Sequence, residues 1–194
     1  HDPDDEQRLS SCGLPTAMCE VKIVDEDGEE VPPGQPGEIL ARGAYSMEGY
    51  YELPEKTAET IDNGWIHTGD IGKRDEDGYV YIVDRDSDVI ISGGMNVYSV
   101  TVEDVIQQHG DVANVAVIGI PDDEWGEAVK AVVVPADTTI DRADLESFCA
   151  DRLADYECPK SFDVVDELPT TPYGKLDKKR LREPYWDDQS REIS

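Results

Sequence analysis

The sequence predicts an α+β protein, in which a small β-barrel-like subdomain is followed by a compact mixed α+β domain. In the first part, short strand-like segments alternate with tight turns, which is typical of a small sheet or open barrel. In the second part, helical and strand patterns are interleaved over a length that suits one domain. A dense run of charge at residues 84–88 separates the two parts, and such a run is a natural domain boundary.

The first part is predicted to contain strands where apolar and polar residues alternate, or where short apolar runs lie between turns. These segments are residues 19–25, 38–42, 65–72 and 79–83. The last two flank the turn at Asp77-Gly78, so we predict that they form a hairpin. A short helix is predicted over residues 54–61, because Pro54 suits the first turn of a helix.

The second part is predicted to contain two main helices and several strands. One helix is expected to begin near Ser99 or Thr101 and to end at His109, with Thr101 as a candidate N-cap. The other is expected over residues 141–153, where four residues form one apolar stripe: Leu145, Phe148, Cys149 and Leu153. The predicted strands are residues 89–91, 112–120, 129–135 and 161–165, and a last helical turn covers residues 178–182.

The charge of the chain limits its classes of partner. It carries 17 basic and 45 acidic residues, a formal net charge of −28, and the acids occur in every segment. This composition excludes nucleic acid and disfavours an anionic membrane surface, because both attract basic patches. Apolar residues keep their periodicity between the acids, so the chain is expected to fold. Such an acidic shell is typical of a protein from a salt-rich cytoplasm, and the alternative is an acidic module that docks on a basic partner.

The four cysteines do not indicate a metal site or a secreted disulfide framework. Cys12, Cys19, Cys149 and Cys158 form no CxxC pair, so no zinc site is expected and no metal ligand is assigned. The sequence contains no signal peptide and no long apolar run, which predicts a cytoplasmic location and no integral membrane segment. We therefore expect reduced and mostly buried thiols. The first residue is not methionine, and we expect the chain to be a piece of a longer protein.

Lys175 is the strongest candidate for a functional side chain near the C-terminus. It follows Pro169, Pro172 and Gly174, which favour an exposed turn with Lys175 at its tip. A lysine ammonium is suited to meeting a phosphate or a carboxylate as a point charge. The alternative is a solvated loop lysine that precedes a basic helix at residues 178–182.

Several groups of residues, in order and in spacing, resemble motifs of the adenylate-forming superfamily of acyl- and aryl-CoA synthetases, luciferases and peptide-synthetase adenylation domains. They are residues 37–39, 49–51, 54–57, 64–70, 83–94, 96–98, 102–103, 159–160 and 168–175. The resemblance covers nearly the whole chain but only the back portion of such an enzyme. It implies that residues 1–84 are the C-terminal β-barrel subdomain of the large adenylation domain, and that residues 85–194 are a mobile C-terminal domain. The missing N-terminal part of the same chain would carry the phosphate loop and the motif that meets ATP and magnesium.

The same resemblance implies roles for individual residues. Asp70 matches the aspartate whose carboxylate accepts hydrogen bonds from the ribose hydroxyls of the nucleotide, and Arg85 matches an arginine that also reaches the nucleotide. Lys175 matches the catalytic lysine that bridges the attacking carboxylate and the α-phosphate. Without the resemblance, Asp70 is explained as a turn-forming residue, and Arg85 as half of a surface ion pair with Asp84 or Asp86.

The resemblance also implies a hinge and a surface for the thiol substrate. The hinge residues are Asp84, Asp86, Ser87 and Asp88, and Ser87 stands where the family usually has Asp or Lys. Ser92, Gly93 and Gly94 match the turn that lines the pantetheine tunnel in CoA-forming members, although a plain hairpin turn is a serious alternative. Met95 and Ser99 stand where an acidic residue and a proline are common, so the identity of the thiol substrate is left open.

The predicted function is therefore the C-terminal part of an ATP-dependent acyl-CoA synthetase. Such an enzyme converts a carboxylic acid and ATP into an acyl-adenylate and pyrophosphate, and then forms a CoA thioester with release of AMP. ATP, Mg²⁺ and coenzyme A serve the intact enzyme, and we expect the chain alone to be inactive and to bind none of them tightly. One alternative is an adenylation enzyme that loads a carrier-protein thiol, which would leave free coenzyme A unused. Another is a non-catalytic acidic interaction module, whose binding to a basic partner would vanish at high salt.

Overall fold

The computed structural model describes residues 6–136 and 140–186 of the 194-residue chain. The chain divides into two compact units, His1–Asp86 and Ser87–Ser194, and the division falls inside the charged run at residues 84–88. Each unit contains its own sheet, and helices complete the core of the second unit. The predicted α+β class is therefore confirmed. The parts of the two predicted domains at residues 1–5, 137–139 and 187–194 lie outside the described residues.

The first unit is built on one five-stranded antiparallel sheet. Its strands are β1 (Cys19–Val24), β2 (Gly37–Gly43), β3 (Ile61–Asp62), β4 (Trp65–Arg74) and β5 (Val80–Arg85). Their order is β1-β2-β4-β3, and β5 also pairs with β4, which confirms the predicted hairpin. The two helices of this unit are α1 (Glu6–Leu9) and α2 (Pro54–Thr60), and Pro54 starts α2 as predicted.

Two register shifts curl this sheet around its apolar side chains. One lies between Glu38 and Leu40 in the pairing of β2 with β4, and the other lies between Ile71 and Gly72 in the pairing of β4 with β5. Such a bulge bends a strand and increases its twist. Glycine fits best at the second shift, because a Cβ on Gly72 would stand 2.9 Å from the backbone oxygen of Tyr81 and 2.5 Å from Cδ1 of Ile39. The buried apolar residues of this unit are Ile23, Val24, Ile39, Leu40, Ile71 and Val80.

The second unit is built on another five-stranded sheet. Its strands are β6 (Ile90–Ser92), β7 (Met95–Val97), β8 (Val112–Asp122), β9 (Gly126–Pro135) and β10 (Ser161–Val164). Its helices are α3 (Ser99–Ile106), α4 (Arg142–Ala150) and α5 (Lys178–Trp186). The order is β10-β9-β6-β7, with β8 antiparallel to β9 and β10 parallel to it.

The core of the second unit is formed by α3, α4 and the sheet. Val102 and Ile106 of α3 and Leu145 and Cys149 of α4 are at most 1% exposed. They belong to one apolar cluster with strand residues: Ile90, Val97, Val112, Val115, Val117, Val129, Ala131, Val133 and Phe162. Burial of these branched side chains is the main stabilising contribution, because it removes apolar surface from water. The apolar stripe predicted for α4 lies on the core side at Leu145 and Cys149.

The predicted N-cap of α3 is wrong. Tyr98, in an extended conformation, precedes the helix without a side-chain cap, and Thr101 lies in the first turn, where its amide donates to the carbonyl of Tyr98 at 3.1 Å. The hydroxyl of Ser99 accepts a hydrogen bond from Lys178 of α5 at 2.7 Å, so a distant helix contacts the start of α3. In α4, the side chain of Asp141 caps the helix by accepting from the amide of Ala143 at 2.9 Å. None of the described helices is both long enough and apolar enough to cross a bilayer.

All four cysteines are free thiols. Cys149 is buried in the core of the second unit, and this burial raises the pKa of its thiol to about 11, so the thiol stays protonated at neutral pH. Cys12 is exposed, and Cys19 and Cys158 are half-buried. The expectation of mostly buried thiols is therefore wrong. The reason is position, since Cys12 lies outside the strands and Cys19 is the first residue of β1.

A partly buried polar network joins the end of α5 to the sheet. Lys130 of β9 lies 2.9 Å from Asp163 Oδ1 of β10, and the hydroxyl of Tyr185 donates to Asp163 Oδ2 at 2.8 Å. Burial opposes the ionisation of Asp163, but the hydrogen bonds from Lys130 and Tyr185 outweigh it and keep the pKa of the carboxyl below its ordinary value. In the next position of α5, Trp186 Nε1 donates to the carbonyl of Gly119 at 3.1 Å. These contacts hold α5 on the sheet.

Replacing Asp163 by asparagine is expected to lower the free energy of unfolding by about 1 kcal/mol at pH 7, a value that allows for solvent screening of a side chain that is 43% exposed. A carboxyl with a lowered pKa stabilises the fold above its ordinary pKa, and this contribution is lost as the pH falls through the folded-state value. The difference between the two proteins is therefore expected to shrink below about pH 4. Urea denaturation at several pH values checks this, with the exposed Asp166→Asn as the control. A difference that stays constant down to acid pH would contradict it.

Candidate functional site

The Thr68-Gly69-Asp70 step of β4 is held firmly against β2. Gly69 has a φ of +68°, a left-handed conformation that glycine adopts without strain. The hydroxyl of Thr68 donates to the carbonyl of Ile39 at 2.6 Å and accepts from the amide of Asp70 at 3.2 Å. The backbone that carries the Asp70 carboxylate is therefore fixed by the sheet.

Asp70 and Arg85 lie directly opposite each other on β4 and β5 as register partners. Arg85 Nε is 3.1 Å from Asp70 Oδ1, and the two side chains are 66% and 27% exposed, respectively. The ion-pair partner of the Arg85 guanidinium is therefore Asp70, and not the neighbouring Asp84 or Asp86. An exposed ion pair contributes only about 0–1 kcal/mol, so a ligand with hydroxyl or phosphate groups can replace it at little cost. The sheet thus brings together two residues that lie in separate sequence motifs.

Glu38 also supports the Thr68-Gly69-Asp70 step; the sequence analysis included it in the motif at residues 37–39 but assigned it no role. Its Oε2 lies 2.8 Å from Nδ1 of His67, and its Oε1 accepts from the amide of Gly69 at 3.4 Å. The carboxylate of Glu38 therefore holds the backbone beside Asp70. Glu38 is a register partner of Ile71, and this pairing between β2 and β4 has no signature in local spacing.

The four residues expected to form a hinge have different surroundings. Asp84 is only 3% exposed, and its Oδ1 accepts from the amide of Arg85 at 2.7 Å. Asp86, Ser87 and Asp88 form one 3₁₀ turn. Within the second unit, Arg182 Nη1 donates to Asp88 Oδ1 at 2.7 Å and to the carbonyl of Ser87 at 3.1 Å. Their role as a hinge stays a prediction.

Ser92, Gly93 and Gly94 form the tight turn that the sequence predicts. Ser92 pairs with Met95 across the β6–β7 hairpin, and the φ values of Gly93 and Gly94 are +59° and +80°. Positive φ at both central residues defines a two-residue hairpin turn that suits glycine. Trp125, which the sequence analysis did not single out, covers this turn: its carbonyl accepts from the amide of Gly93 at 2.8 Å, and its indole lies against Gly93.

Replacing Gly93 by alanine is expected to lower the free energy of unfolding by about 2–3 kcal/mol. Its φ of +59° is strained for alanine, and the new Cβ would stand 2.7 Å from Trp125 Cε3, so the indole must shift. Gly94→Ala is the matched control, because it has the same sign of φ but meets no atom within 4 Å. Its expected loss is about 1 kcal/mol, from backbone strain alone. Urea denaturation measures both, and equal losses would contradict the Trp125 contact.

Lys175 is exposed at the tip of a braced loop. The amide of Thr171 donates to the carbonyl of Lys175 at 2.7 Å, and the amide of Lys175 donates to Thr171 Oγ1 at 3.2 Å. Gly174 has a φ of +79°, which lets the loop turn back on itself. Among residues 6–136 and 140–186, the ammonium group of Lys175 has no hydrogen-bond or ion-pair partner. Its charge is thus available to a ligand.

His109, Asp111 and Asp144 form a cluster with the composition of a cation site, but its bonds explain it as a link between the turn that follows α3 and helix α4. His109 Nδ1 accepts from the amide of Asp111 at 3.3 Å, and its Nε2 lies 3.2 Å from Asp144 Oδ2. Both ring nitrogens are therefore engaged within the protein. We assign no metal to this cluster.

The candidate residues are divided between the two units. Asp70 and Arg85 form a pair in the first unit, whereas Lys175 and the Ser92–Gly94 turn belong to the second unit. Sequence reasoning assigned no role to four residues that support the candidate residues: Glu38, Trp125, Lys178 and Arg182. For the last two a signal existed, since they lie four residues apart on a predicted helix directly after Lys175.

Two protein-family models match parts of this chain. The family model described as AMP-binding enzyme C-terminal domain matches residues 101–175, and the one described as AMP-binding enzyme matches residues 1–51. The chain is 44% identical over 197 residues to the medium/long-chain-fatty-acid–CoA ligase FadD8 of Mycobacterium tuberculosis, which covers 97% of this chain and 34% of that protein. It is 41% identical over 188 residues to the fatty acid–[acyl-carrier-protein] ligase ScoC of Streptomyces coeruleorubidus, which covers 96% of this chain and 36% of that protein.

The fold is also similar to a solved structure, that of ATP-bound MatB from Rhodopseudomonas palustris. The TM-score is 0.87 at 38% identity, over 93% of this chain and 37% of that one. The chain thus spans about a third of the length of the curated relatives that it matches.

Proposed function

Since this chain belongs to the adenylate-forming superfamily of AMP-binding enzymes, we propose that it is the C-terminal part of an ATP-dependent acyl-CoA synthetase. Residues 1–84 would be the last subdomain of the large adenylation domain, and residues 85–194 the mobile C-terminal domain. The whole enzyme would join a carboxylic acid to AMP and then pass the acyl group to a thiol. One observation carries the proposal: Asp70 and Arg85, matched in separate motifs, meet as a 3.1 Å pair on β4 and β5.

The Asp70–Arg85 pair would bind the nucleotide. A carboxylate has two acceptor oxygens, which suits the two neighbouring hydroxyls of a ribose. Arg85, released from a weak exposed pair, would place its charge towards the phosphates. The Thr68 and Glu38 bonds that hold this step would keep the carboxylate in position, because a fixed acceptor loses less entropy on binding.

Lys175 would act in the first half-reaction. A carboxylate oxygen of the acid attacks the α-phosphorus of ATP, and the bond to the pyrophosphate oxygen breaks. An ammonium in contact with both reacting groups would offset the negative charge that builds up between them. Its contribution grows when water is excluded, so Lys175 would be carried in by domain closure about residues 84–88. The magnesium that accompanies ATP would be bound by the part of the enzyme outside this chain.

The Ser92–Gly94 turn would act in the second half-reaction. There the thiol sulfur attacks the acyl carbonyl of the adenylate, the new carbon–sulfur bond forms, and AMP leaves. Glycines at this turn would let an extended pantetheine arm pass close to the backbone. The domain would therefore rotate between two poses, one that presents Lys175 and one that presents this turn.

A direct experiment tests the proposed activity in the full-length enzyme. AMP release and coenzyme A consumption are measured in concentrated KCl, which suits a chain with a net charge of −28, with acetate, medium-chain, long-chain and aromatic acids. We expect one class of acid to consume ATP and coenzyme A together. No turnover of ATP with any acid would contradict the proposal and favour a non-catalytic acidic module.

A second candidate is an enzyme that loads the thiol of a carrier protein. The observation in its favour is the 41% identity to ScoC, whose name specifies an acyl-carrier-protein acceptor. The same assay separates the two candidates. ATP turnover that leaves free coenzyme A untouched would favour the carrier protein.

A further inference from the structure

Helix α5 begins three residues after Lys175 and carries two nearly buried basic side chains. Lys178 and Arg182 are only 10% and 13% exposed, respectively. They are four residues apart, so they project from the same face of the helix, one turn apart. Basic side chains are rarely buried unless they are paired, and their partners therefore define what the helix is docked on.

Lys178 fastens the start of α5 to α3. Its Nζ lies 2.7 Å from Glu103 Oε1 and donates to Ser99 Oγ at 2.7 Å. The same oxygen of Glu103 accepts from the amide of Val117 at 2.7 Å, which adds β8 to the network. The N-terminal turn of α5 is thus fixed to the core of the second unit.

Arg182 fastens the next turn of α5 to the segment that precedes β6. Its Nη1 donates both to Asp88 Oδ1 and to the carbonyl of Ser87. The bond to Asp88 joins two charged side chains, whereas the bond to Ser87 is made to a backbone carbonyl. The peptide between Ser87 and Asp88 is therefore pinned to α5. Ser87 is also the residue that matches the pivot of the family hinge.

The loop of Lys175 is short and braced onto the start of the same helix. The amide of Asp177 donates to the carbonyl of Pro169 at 2.9 Å, and Asp177 Oδ1 accepts from the amide of Arg180 at 3.1 Å. With the two bonds between Thr171 and Lys175, these contacts tie both ends of the loop together. Lys175 is therefore expected to move together with α5.

We propose that Arg182 is a positioning residue for Lys175. Arg182 pins the Ser87–Asp88 peptide to α5, so the segment from Ser87 to Lys175 would move as one rigid body. Rotation of the domain would then occur only about backbone bonds that precede the carbonyl of Ser87. Rigidity matters, because misplacement of a catalytic group by about 1 Å can cost about 100-fold in rate. The Ser92–Gly94 turn is held instead by β7 and β9, so it does not depend on Arg182. This inference rests on the proposed roles of Lys175 and residues 84–88.

The test compares Arg182→Gln with Arg180→Gln in the full-length enzyme, since Arg180 is an exposed residue of the same helix. In Arg182→Gln, we expect kcat of ATP–pyrophosphate exchange to fall at least about tenfold, and KM for ATP and thioester formation from preformed adenylate to stay within about threefold. Arg182→Lys, which keeps the charge but loses the planar fork, should recover part of the rate. If Arg182→Gln does not fold, Arg182→Lys carries the comparison. Equal losses in both half-reactions, or a loss as large in Arg180→Gln, would overturn the proposal.

A second measurement needs no catalysis. Hydrogen–deuterium exchange of the amides of residues 86–89, which precede β6, is followed by mass spectrometry in both full-length variants. Loss of a charge-assisted bond to the backbone is expected to speed their exchange by about tenfold in Arg182→Gln and to leave it unchanged in Arg180→Gln. Unchanged exchange would overturn the pinning. If the wild-type enzyme lacks ATP–pyrophosphate exchange, the proposed function fails, whereas faster amide exchange would still support the pinned segment.

Discussion

Replacing Lys175 by alanine in the full-length enzyme is expected to lower ATP–pyrophosphate exchange by about 10²–10³-fold. The reason is electrostatic, since this exposed ammonium has no partner among the described residues and would meet the charge that develops at the α-phosphate. Thioester formation from preformed acyl-adenylate is expected to stay within about threefold, because the role proposed for Lys175 is confined to the first half-reaction.

The matched control for Lys175 is Lys179→Ala. Lys179 is an exposed lysine four residues further along, on α5, so its removal changes the net charge equally. Both half-reactions are followed in concentrated KCl for the wild type and the two variants. Unchanged pyrophosphate exchange in Lys175→Ala would remove Lys175 from the mechanism. A comparable loss in Lys179→Ala would assign the effect to charge in general.

Replacing Lys178 by methionine is expected to lower the free energy of unfolding of the chain by about 3–5 kcal/mol. The substitution keeps most of the apolar stem but leaves Glu103, only 16% exposed, without the ammonium that lies 2.7 Å away. The carboxylate keeps its hydrogen bond from the amide of Val117 but loses the opposite charge, and this loss accounts for most of the effect, because its desolvation is offset less. Urea denaturation monitored by tryptophan fluorescence measures the change.

Two controls separate charge from packing at Lys178. Lys179→Met removes an exposed lysine from the same helix and is expected to change stability by no more than about 0.5 kcal/mol. Adding Glu103→Gln to Lys178→Met removes the carboxylate charge and should restore part of the lost stability. A loss for Lys178→Met no larger than that for Lys179→Met would show that the ion pair is not stabilising.

The sequence alone determined the fold class and most of the elements, but not the short α1, β3 and β7. Alternation and turn residues indicated the hairpin around Asp77-Gly78, signals at the helix ends indicated α3, and an apolar stripe indicated α4, because these patterns arise from contacts within a few residues. The turn at Gly93-Gly94 was also predictable, since two adjacent glycines suit positive φ. Resemblance in ordered motifs identified the adenylate-forming superfamily before any contact was known.

Only the tertiary structure decided which residues meet. The partner of Arg85 is Asp70, and this follows from the register of β4 and β5 rather than from the neighbouring acids. Arg182 reaches Asp88 across 94 positions of the chain, and Lys178 reaches Ser99 across 79. Local propensity also misassigned the cap of α3, because the helix begins two residues before Thr101 and has no side-chain cap. Such contacts depend on how separate elements pack, and packing is set by the shape of the whole core rather than by spacing along the chain.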